Sequence, residues 1–377
     1  MAEGGREAER TDLSSPDYEG DEEPKVGTVT AEAAGSGRRN KREADRVPPG
    51  ENNTEGEERD QDRFWLPERV KNALQKSRNF DEFRKARPFR FLHMFSGEAD
   101  QLGASIKREA QRARLETYVE ALDRKKDKEI NLADPKVYDE IDKSVEGGEW
   151  DGFHSGFPCA SFSRVRWRDS PGGPMHVRSA AHIYGLPGNT PSQQKEADEG
   201  TLMATRSAWL HKKQVVTCQK RGVPEVSTLE NPPGAKDSGS AWDLPELLQV
   251  VQETKSSTVE FNTCAYQTKL RKRWFKPARW TGKLETLGSL AKVCKCPAWV
   301  EHVPLPLMGK QKTEAAGAYP EELTDAVAKK IVETWKRVLN LEWLRYQFKM
   351  KSNLINKLQI ASNPMARERR EETEAGL

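Results

Sequence analysis

The residues best suited to chemistry in this sequence lie in a short segment at 156–163, which reads GFPCASFS. Its cysteine, Cys159, follows Pro158 on a predicted tight turn and precedes a run of arginines. Exposed backbone amides and nearby positive charge stabilise a thiolate, the form of cysteine that acts as a nucleophile. Proline and serine neighbours make this a poor position for a structural cysteine. We therefore predict that Cys159 is a nucleophile whose thiolate is favoured by its surroundings.

A second group of candidate residues follows two apolar runs near the start of the ordered region. Phe95, Ser96 and Gly97 close the run at 89–95, and Asp123 closes the run at 115–122. A glycine between strand and helix lets the backbone approach a ligand, and an acid after the second strand can bind ribose hydroxyls. The single glycine does not match the Gly-rich dinucleotide fingerprint. This pattern favours a nucleoside without a pyrophosphate.

Two more acids need separate treatment. Glu230 ends a β-type run at 225–230 and is followed by Asn231 and two prolines. Asp134 precedes Pro135, a pair that is equally typical of a helix N-cap and of a ligand-binding loop. Both roles therefore stay open for Asp134.

The elements that must position these residues alternate between strand-like and helix-like segments. Short apolar runs bounded by turn residues predict strands, and longer runs with helical spacing predict helices. We expect strands at 89–95, 115–122, 150–155, 225–230 and 258–266, and helices at 100–111 and 322–358. This alternation predicts an α/β fold with a doubly wound, mostly parallel Rossmann-like sheet. Ligands bind at the carboxyl ends of such strands, where all of these polar segments fall.

Composition divides the chain further. We expect a disordered acidic tail at 1–62, a helical lead-in at 63–88, one enzyme-like domain at 89–345 and a charged helix or tail at 346–377. The segment 169–205 follows the cysteine loop and begins rich in Gly and Pro. We expect a lid or a disordered insertion there.

Charge and cysteine content indicate the partner and the compartment. The first 60 residues hold 17 acidic and 9 basic residues, a net charge of −8, so the remainder of the +3 chain carries about +11. That balance suits nucleic acid, and the segment 269–276 mixes basic and aromatic residues as phosphate contact with base stacking requires. Five cysteines without a signal peptide or a long apolar run indicate an intracellular protein with no membrane partner. The basic cluster at 38–42 is a candidate nuclear address, and nothing indicates the oligomeric state.

Zinc is a possible but disfavoured ligand. Cys294, Cys296 and His302, with Cys264, are residue types that bind zinc. The Cys-x-Cys spacing is tighter than that of usual zinc motifs. We expect these thiols to pack or to lie in a turn, and we expect no metal.

Several of these motifs, in order, resemble the cytosine-5 DNA methyltransferase family, most closely its divergent members encoded by mobile elements. Pro158-Cys159 with the following FS pair resembles the nucleophile loop of that family, and the FSG at 95–97 resembles its first cofactor motif. Further matches are the ENP at 230–232, the QTKLR at 267–271 and the GAYP at 317–320. The resemblance covers about two thirds of the chain, from 89 to 335.

The resemblance implies an enzyme that uses S-adenosylmethionine (SAM) to methylate cytosine C5 in a flipped or single-stranded base. Cys159 would add to C6, Glu230 would protonate N3, and Arg271 with Lys269 would polarise O2. The cofactor would lie along Phe95, Ser96, Gly97 and Pro158, with Asp123 at the ribose and Asp134 at the adenine.

The nature of the substrate and the activity itself leave alternatives. DNA is favoured, but only about 45 residues separate Arg271 from Gly317, fewer than the family's usual target-recognition region, so RNA stays open. Two further alternatives are a catalytically decayed nucleic-acid-binding protein and an adenine N6 methyltransferase that uses Asn231-Pro232-Pro233.

Overall fold

The computed structural model describes residues 65–163, 166, 175–234, 238–303 and 318–362, with side chains as far as residue 355. The predicted acidic tail, the basic cluster at 38–42, Arg164, Arg168 and Gly317 lie outside these residues. The predicted domain boundaries stay predictions.

A six-stranded sheet forms the centre of the described region. Its strands stand in the order β2-β1-β3-β4-β7-β5, and a separate two-stranded sheet joins β6 to β8. The strands are β1 (Phe89–Met94), β2 (Thr117–Leu122), β3 (Gly152–Ser155), β4 (Ser227–Asn231), β5 (Ser257–Asn262), β6 (Lys272–Trp274), β7 (Pro277–Lys283) and β8 (Glu301–Val303). The pairs β1–β2, β1–β3 and β3–β4 are parallel, whereas β7 runs antiparallel to β4 and β5.

Helices cover both faces of this sheet. They are α1 (Glu68–Lys76), α2 (Phe80–Ala86), α3 (Gln101–Arg112), α4 (Pro135–Glu146), α5 (Pro191–Arg221), α6 (Pro245–Thr254) and α7 (Glu321–Ser362). One core contains Phe83 of α2, Ile106 of α3 and Trp335 of α7, and a second core contains Val145 of α4 and Leu210 of α5. The expected doubly wound, mostly parallel Rossmann-like sheet is therefore confirmed. In the described region the helices contain no apolar stretch of the length that a membrane crossing requires.

Strand β7 is the element that sequence patterning missed. It begins with Pro277 and contains Arg279 and Gly282, so it has neither an apolar run nor clear alternation. A Cβ atom on Gly282 would lie 2.2 Å from the backbone oxygen of Ser227. Glycine therefore allows β7 to approach β4 closely, although the same residue weakens the strand signal in the sequence.

The expected loop at 169–205 is wrong for its second half. Helix α5 begins at Pro191, with Thr190 as its N-cap and Gln193 completing a capping box. Most of the glycine and proline of this segment precedes residue 190, so its average composition hides a helix start. The expected strand at 258–266 is also shorter, because β5 ends at Asn262 and a 3-10 turn follows at Thr263–Tyr266.

A buried ionic network lies where β3 begins. The Asp151 carboxylate accepts hydrogen bonds from Arg87 at 2.6 and 2.8 Å and lies 3.0 Å from Arg221. Glu342 of α7 pairs with the same two arginines, at 3.2 Å and 2.6 Å, and Arg69 of α1 reaches Asp151 at 2.8 Å. Burial alone would raise the pKa of Asp151, but the three arginines hold it well below its usual range. This network joins α1, α2, α5 and α7 to the sheet.

Candidate active site

The parallel strands end at the same edge of the sheet. Met94 of β1 pairs with Leu122 of β2 and with Ser155 of β3, which in turn pairs with Leu229 of β4. The chain leaves β1 towards β2 on one side and reaches β3 on the other, so a crevice opens between them at this edge. Phe95, Asp123 and Gly156 follow β1, β2 and β3, and Glu230 is the next-to-last residue of β4. The backbones of Phe95, Asp123 and Glu230, which sequence reasoning placed at this edge, do lie there.

The loop after β1 has the backbone of a ligand-binding turn. Phe95 and Gly97 both have positive φ angles, 56° and 68°. The Gly97 N–H donates to Asp123 Oδ2 at 2.8 Å, and the Phe95 N–H donates to the Leu122 carbonyl at 2.8 Å. A Cβ on Gly97 would meet nothing within 4 Å, so the loop borders open space. Phe95, Ser96 and Asp123 are half-buried around it.

Asp134 adopts the helix-capping geometry. Its Oδ1 accepts a hydrogen bond from the Lys136 N–H at 2.8 Å, and Pro135 occupies the first turn of α4. A role for Asp134 at an adenine stays a prediction, because only one of its oxygens is used by the cap.

Arg178 holds the cysteine loop against α5. Cys159 precedes a 3-10 turn at Ala160–Phe162. The buried Arg178 side chain donates to Ser161 Oγ at 3.0 Å and stacks 3.9 Å above the Phe162 ring. It also donates to the Ala197 carbonyl of α5. A Cβ on Gly200 of α5 would lie 2.2 Å from Ser161 Oγ, so a glycine is needed where the helix meets the loop. Pro158 is exposed and Cys159 is half-buried.

Glu230 is buried beside the cysteine loop. Tyr319 donates its hydroxyl to Glu230 Oε2 at 3.0 Å. Glu230 Oε1 has no hydrogen-bond partner among the described residues, although it is buried. The neighbouring Asn231 uses its amide nitrogen to donate to the Phe157 carbonyl at 2.9 Å, which ties the strand to the loop. Asn231 Oδ1, the atom that could accept from an exocyclic amine, is buried and has no hydrogen-bond partner among the described residues.

The electrostatics of Cys159 differ from the expectation. Burial is the main effect and raises the pKa of the thiol, while the negative charge of Glu230 raises it further. Lys276 and Arg166 lower the pKa but do not outweigh the desolvation. The expectation of a favoured thiolate is therefore wrong for the free protein, because packing around the sulfur excludes the water that would solvate its charge.

Lys276, rather than one of the arginines that follow Cys159, is the cation that lowers the pKa of this thiol most. Lys269 and Arg271 are exposed, on the segment that leads into β6. Lys276 is half-buried just before β7, and its backbone exchanges hydrogen bonds with Thr263 at 3.0 and 3.2 Å. This pairing fixes Lys276 between β5 and β7. Roles for Lys269 and Arg271 at a bound base stay predictions.

A buried polar chain supports Glu230 from inside the sheet. His154 of β3 contacts the Tyr319 hydroxyl through Nε2 at 3.2 Å and Thr228 Oγ1 through Nδ1 at 2.8 Å. Burial holds the pKa of His154 well below its usual value, so the ring is neutral. The Tyr319 hydroxyl donates its proton to Glu230, so it can only accept a hydrogen bond from His154. The imidazole proton of His154 is therefore on Nε2. Burial and the neighbouring Glu230 charge also raise the pKa of Tyr319, so it stays a donor.

The site residues that were not predicted from the sequence share one property. Tyr319 was visible only as part of a motif, whereas Lys276, Arg178 and His154 carried no individual signal. Each reaches the site from an element whose position depends on tertiary packing. A basic residue before a strand, or a histidine within one, is too common to be singled out.

A separate group of side chains gathers beside β6 and β8. The side-chain ligand atoms of Cys264, Cys294, Cys296 and His302 all lie within 4.8 Å of one another. The expectation that these thiols would only pack or lie in a turn missed this convergence. The spacing rule failed because Cys264 arrives from a turn 30 residues earlier in the chain.

Comparison with known proteins gives distant structural matches. No protein-family model and no curated protein sequence matches the chain. Similar solved structures include a mutant of DNMT2 from Spodoptera frugiperda, with 11% identity, a TM-score of 0.30 and 55% of each chain covered. The S. pombe Dnmt2 methyltransferase matches with 11% identity, a TM-score of 0.28, and coverage of 57% of this chain and 58% of that one. The chain thus spans a little over half the length of each.

Proposed function

We propose that this chain is a SAM-dependent cytosine C5 methyltransferase that acts on nucleic acid, with DNA the favoured substrate, through a covalent bond between Cys159 and C6. The proposal rests on one observation: the buried Glu230 carboxylate lies against the loop that carries the half-buried Cys159. A Cβ atom on Gly156 of that loop would lie 3.5 Å from Glu230 Oε2 and 2.7 Å from the Tyr319 hydroxyl, which donates to the same carboxylate. Activation of a pyrimidine ring requires a thiol and an acid close to each other.

Cys159 has the role of nucleophile. Cytosine C5 is too poor a nucleophile to be methylated directly, so a thiolate must first add to C6 and leave an electron pair at C5. The Cys159 proton must leave before this step, and Lys276 favours the resulting thiolate. After methyl transfer to C5, loss of the C5 proton and cleavage of the C6–S bond release 5-methylcytosine and restore the enzyme.

Glu230 has two roles: it protonates the target cytosine, and it recognises the edge of that cytosine. Addition at C6 moves electron density towards N3, and a proton placed at N3 stabilises it. Glu230 Oε1 is the atom suited to this contact, since it is buried and has no partner in the part of the chain that the structure describes, while Oε2 is held by Tyr319. The carboxyl can also orient the exocyclic amine of cytosine.

The loop after β1 is the proposed SAM site. SAM supplies an electrophilic methyl group on a sulfonium when it is bound. Phe95 offers a ring face for the adenosine, the Gly97 backbone allows close approach, and Asp123 after β2 is suited to the ribose hydroxyls. The exposed cations Lys269 and Arg271 are suited to the phosphates around the target base.

Transfer of a tritiated methyl group from SAM to DNA and to RNA tests the activity. We expect incorporation with the natural protein and a loss of about 10³-fold or more in Cys159→Ser, because no other group would activate C6. Cys218→Ala, which removes a thiol buried in the core, is the matched control and is expected to retain transfer. Equal incorporation in Cys159→Ser would exclude the mechanism.

The covalent step has its own test. DNA containing 5-fluorocytosine should trap the protein in a SAM-dependent adduct, because fluorine at C5 cannot leave as a proton does. Peptide mass spectrometry should locate the adduct at Cys159. Methylation recovered as N6-methyladenine would contradict the proposal, and binding of nucleic acid without transfer or trapping would favour a decayed enzyme.

A further inference from the structure

Four possible metal ligands converge from three separate segments of the chain. Cys264 lies in the 3-10 turn after β5, Cys294 and Cys296 lie in the segment before β8, and His302 lies within β8. Their ligand atoms all lie within 4.8 Å of one another, and Cys264 is buried while the other three are half-buried. Three of the five cysteines of the chain are therefore gathered at one point.

One distance within this group fits a tetrahedral ion. Bonds of about 2.3 Å to sulfur and about 2.0 Å to imidazole nitrogen place adjacent ligand atoms of a tetrahedron about 3.6 Å apart. Cys294 Sγ lies 3.5 Å from His302 Nε2. The pair is thus spaced as two ligands of a common centre would be.

The surroundings of these sulfurs also suit thiolates that share a cation. Arg273 is buried and its NH1 group lies 3.3 Å from Cys296 Sγ. The backbone N–H of Cys294 donates to Asn262 Oδ1 at 3.0 Å, which fixes the segment that carries both cysteines. Side chains around a metal site commonly orient its ligands in this way.

We propose that Cys264, Cys294, Cys296 and His302 bind one structural Zn²⁺ ion. Three thiolates and one imidazole form a ligand set typical of closed zinc sites, and soft sulfur ligands disfavour magnesium and calcium. All four positions are filled by protein, so the ion has no open position for substrate. A disulfide would use two of the three thiols and would leave His302 without a role.

The ion would stabilise the small sheet next to the active site. β6 and β8 contribute three residues each, and a two-stranded sheet of this size is marginal without further support. The ion would join β8 and the cysteine segment to the turn after β5. Lys269 and Arg271 lie between Cys264 and β6, so zinc would also restrain the segment that carries these exposed cations. The proposal does not depend on methyl transfer.

Metal analysis of the full-length protein tests the site. Protein purified without chelators should contain about one zinc per chain by inductively coupled plasma mass spectrometry, as structural zinc sites bind tightly. Cys294→Ser and His302→Ala should each lose most of that zinc. Cys159→Ser, which changes a cysteine outside the cluster, should keep it. Zinc that persists in the double variant Cys264→Ser with Cys296→Ser would overturn the proposal.

Cobalt substitution gives a measurement that does not depend on variants. Co²⁺ added to the metal-free natural protein should give intense visible absorption from a tetrahedral site, with a sulfur-to-cobalt band in the near ultraviolet. Zn²⁺ should then displace it at one equivalent. A weak octahedral spectrum, or no zinc bound after titration, would overturn the proposal even if a variant failed to fold.

Discussion

The pKa of the Cys159 thiol is raised by one neighbouring charge and lowered by another, and the reactivity of the thiol should depend on both. Glu230 raises the pKa of the thiol while Lys276 lowers it, and burial raises it above its ordinary value. The thiol is therefore mostly protonated at neutral pH in the free protein. Addition to a pyrimidine would require a base that removes the proton, or a bound ligand that changes the balance.

Two substitutions should shift alkylation of Cys159 in opposite directions. Lys276→Met removes a positive charge and should raise the pKa, so iodoacetamide should react more slowly. Glu230→Gln removes a negative charge and should lower the pKa, so the reaction should be faster. We expect changes of about threefold to tenfold at pH 7.5, as about half to one pKa unit would give. Peptide mass spectrometry at Cys159 measures the rate, and shifts of the same sign in both variants would contradict this account.

At this scale the sequence indicated the groups but not their partners. Cys159 and Glu230 were predictable because a thiol or an acid at a strand end is uncommon and falls where ligands bind. Their support from Tyr319 and Lys276 was not, because these residues come from distant segments of the chain. The protonation preference of Cys159 depends on packing density, which sequence alone does not reveal.

Helix α5 is the element that positions the nucleophile loop. Arg178 joins Ser161 to the Ala197 carbonyl of that helix, and burial lowers its pKa to about 10. Only a planar fork of donors can serve several acceptors at these positions. The loop therefore depends on an arginine that lies outside any catalytic motif.

Arg178→Lys should loosen the cysteine loop. Lysine keeps the charge but cannot reach the Ser161 hydroxyl, the Ile183 carbonyl and α5 together, so we expect a loss of about 2 kcal/mol in the free energy of unfolding. Hydrogen exchange at 160–163 should become faster. Arg206→Lys on α5 is the matched control, since Arg206 donates to the Leu132 carbonyl of another loop at 2.5 Å. Equal exchange at 160–163 in both variants would exclude a specific role for Arg178.

Elements were predictable where a single pattern sufficed. Parallel strands such as β1 and β3 are buried on both faces, so they appear as apolar runs with turn residues after them. β7 was not predicted from the sequence, because its residues are polar and include Gly282. It forms a strand because it pairs with a neighbouring strand on each side. The start of helix α5 was not predicted, because the composition of its first turns was averaged with that of the preceding Gly- and Pro-rich loop.

Across the whole molecule, one ionic network connects most of the helices to the sheet. Asp151 and Glu342 lie among three arginines, and both carboxylates are almost fully buried. Such a network is destabilising when one member is lost, because the remaining charges stay buried without compensation.

Asp151→Asn should therefore cost about 3 to 5 kcal/mol of unfolding free energy. The amide keeps the shape of the carboxylate but leaves Arg87 and Arg221 without its charge. Denaturation by urea at neutral pH measures the change. Asp139→Asn on the exposed side of α4 is the matched control and is expected to change stability by less than about 0.5 kcal/mol. A loss of similar size in both variants would show that the network has no special weight.

A neutral buried histidine should make stability fall with acidification. His211 contacts Ser227 Oγ at 2.7 Å and Ser256 Oγ at 2.9 Å, and burial lowers its pKa to about 3. Its unfolded pKa is about 6.5. The stability is therefore fully present above pH 6.5 and is lost as the pH falls towards 3, since only the unfolded chain gains the proton.

The size of this effect follows from linkage. Between pH 6.5 and 4.5, His211 should account for about 2.3 kcal/mol of lost stability. His211→Asn, which does not titrate, should show a smaller fall by that amount. His182→Asn, at an exposed histidine, should follow the natural protein. If the unfolding free energy fell with pH by the same amount in all three proteins, this explanation would be contradicted.

Strand β3 has four residues, a length of about 13 Å. Its beginning is anchored by the arginines around Asp151, and its end releases the segment that carries Cys159. The contacts that stabilise the fold and the residue proposed to react thus lie at opposite ends of the same short strand. Substitutions in the loops of one edge can accumulate during evolution or laboratory selection while the anchored edge keeps the architecture intact.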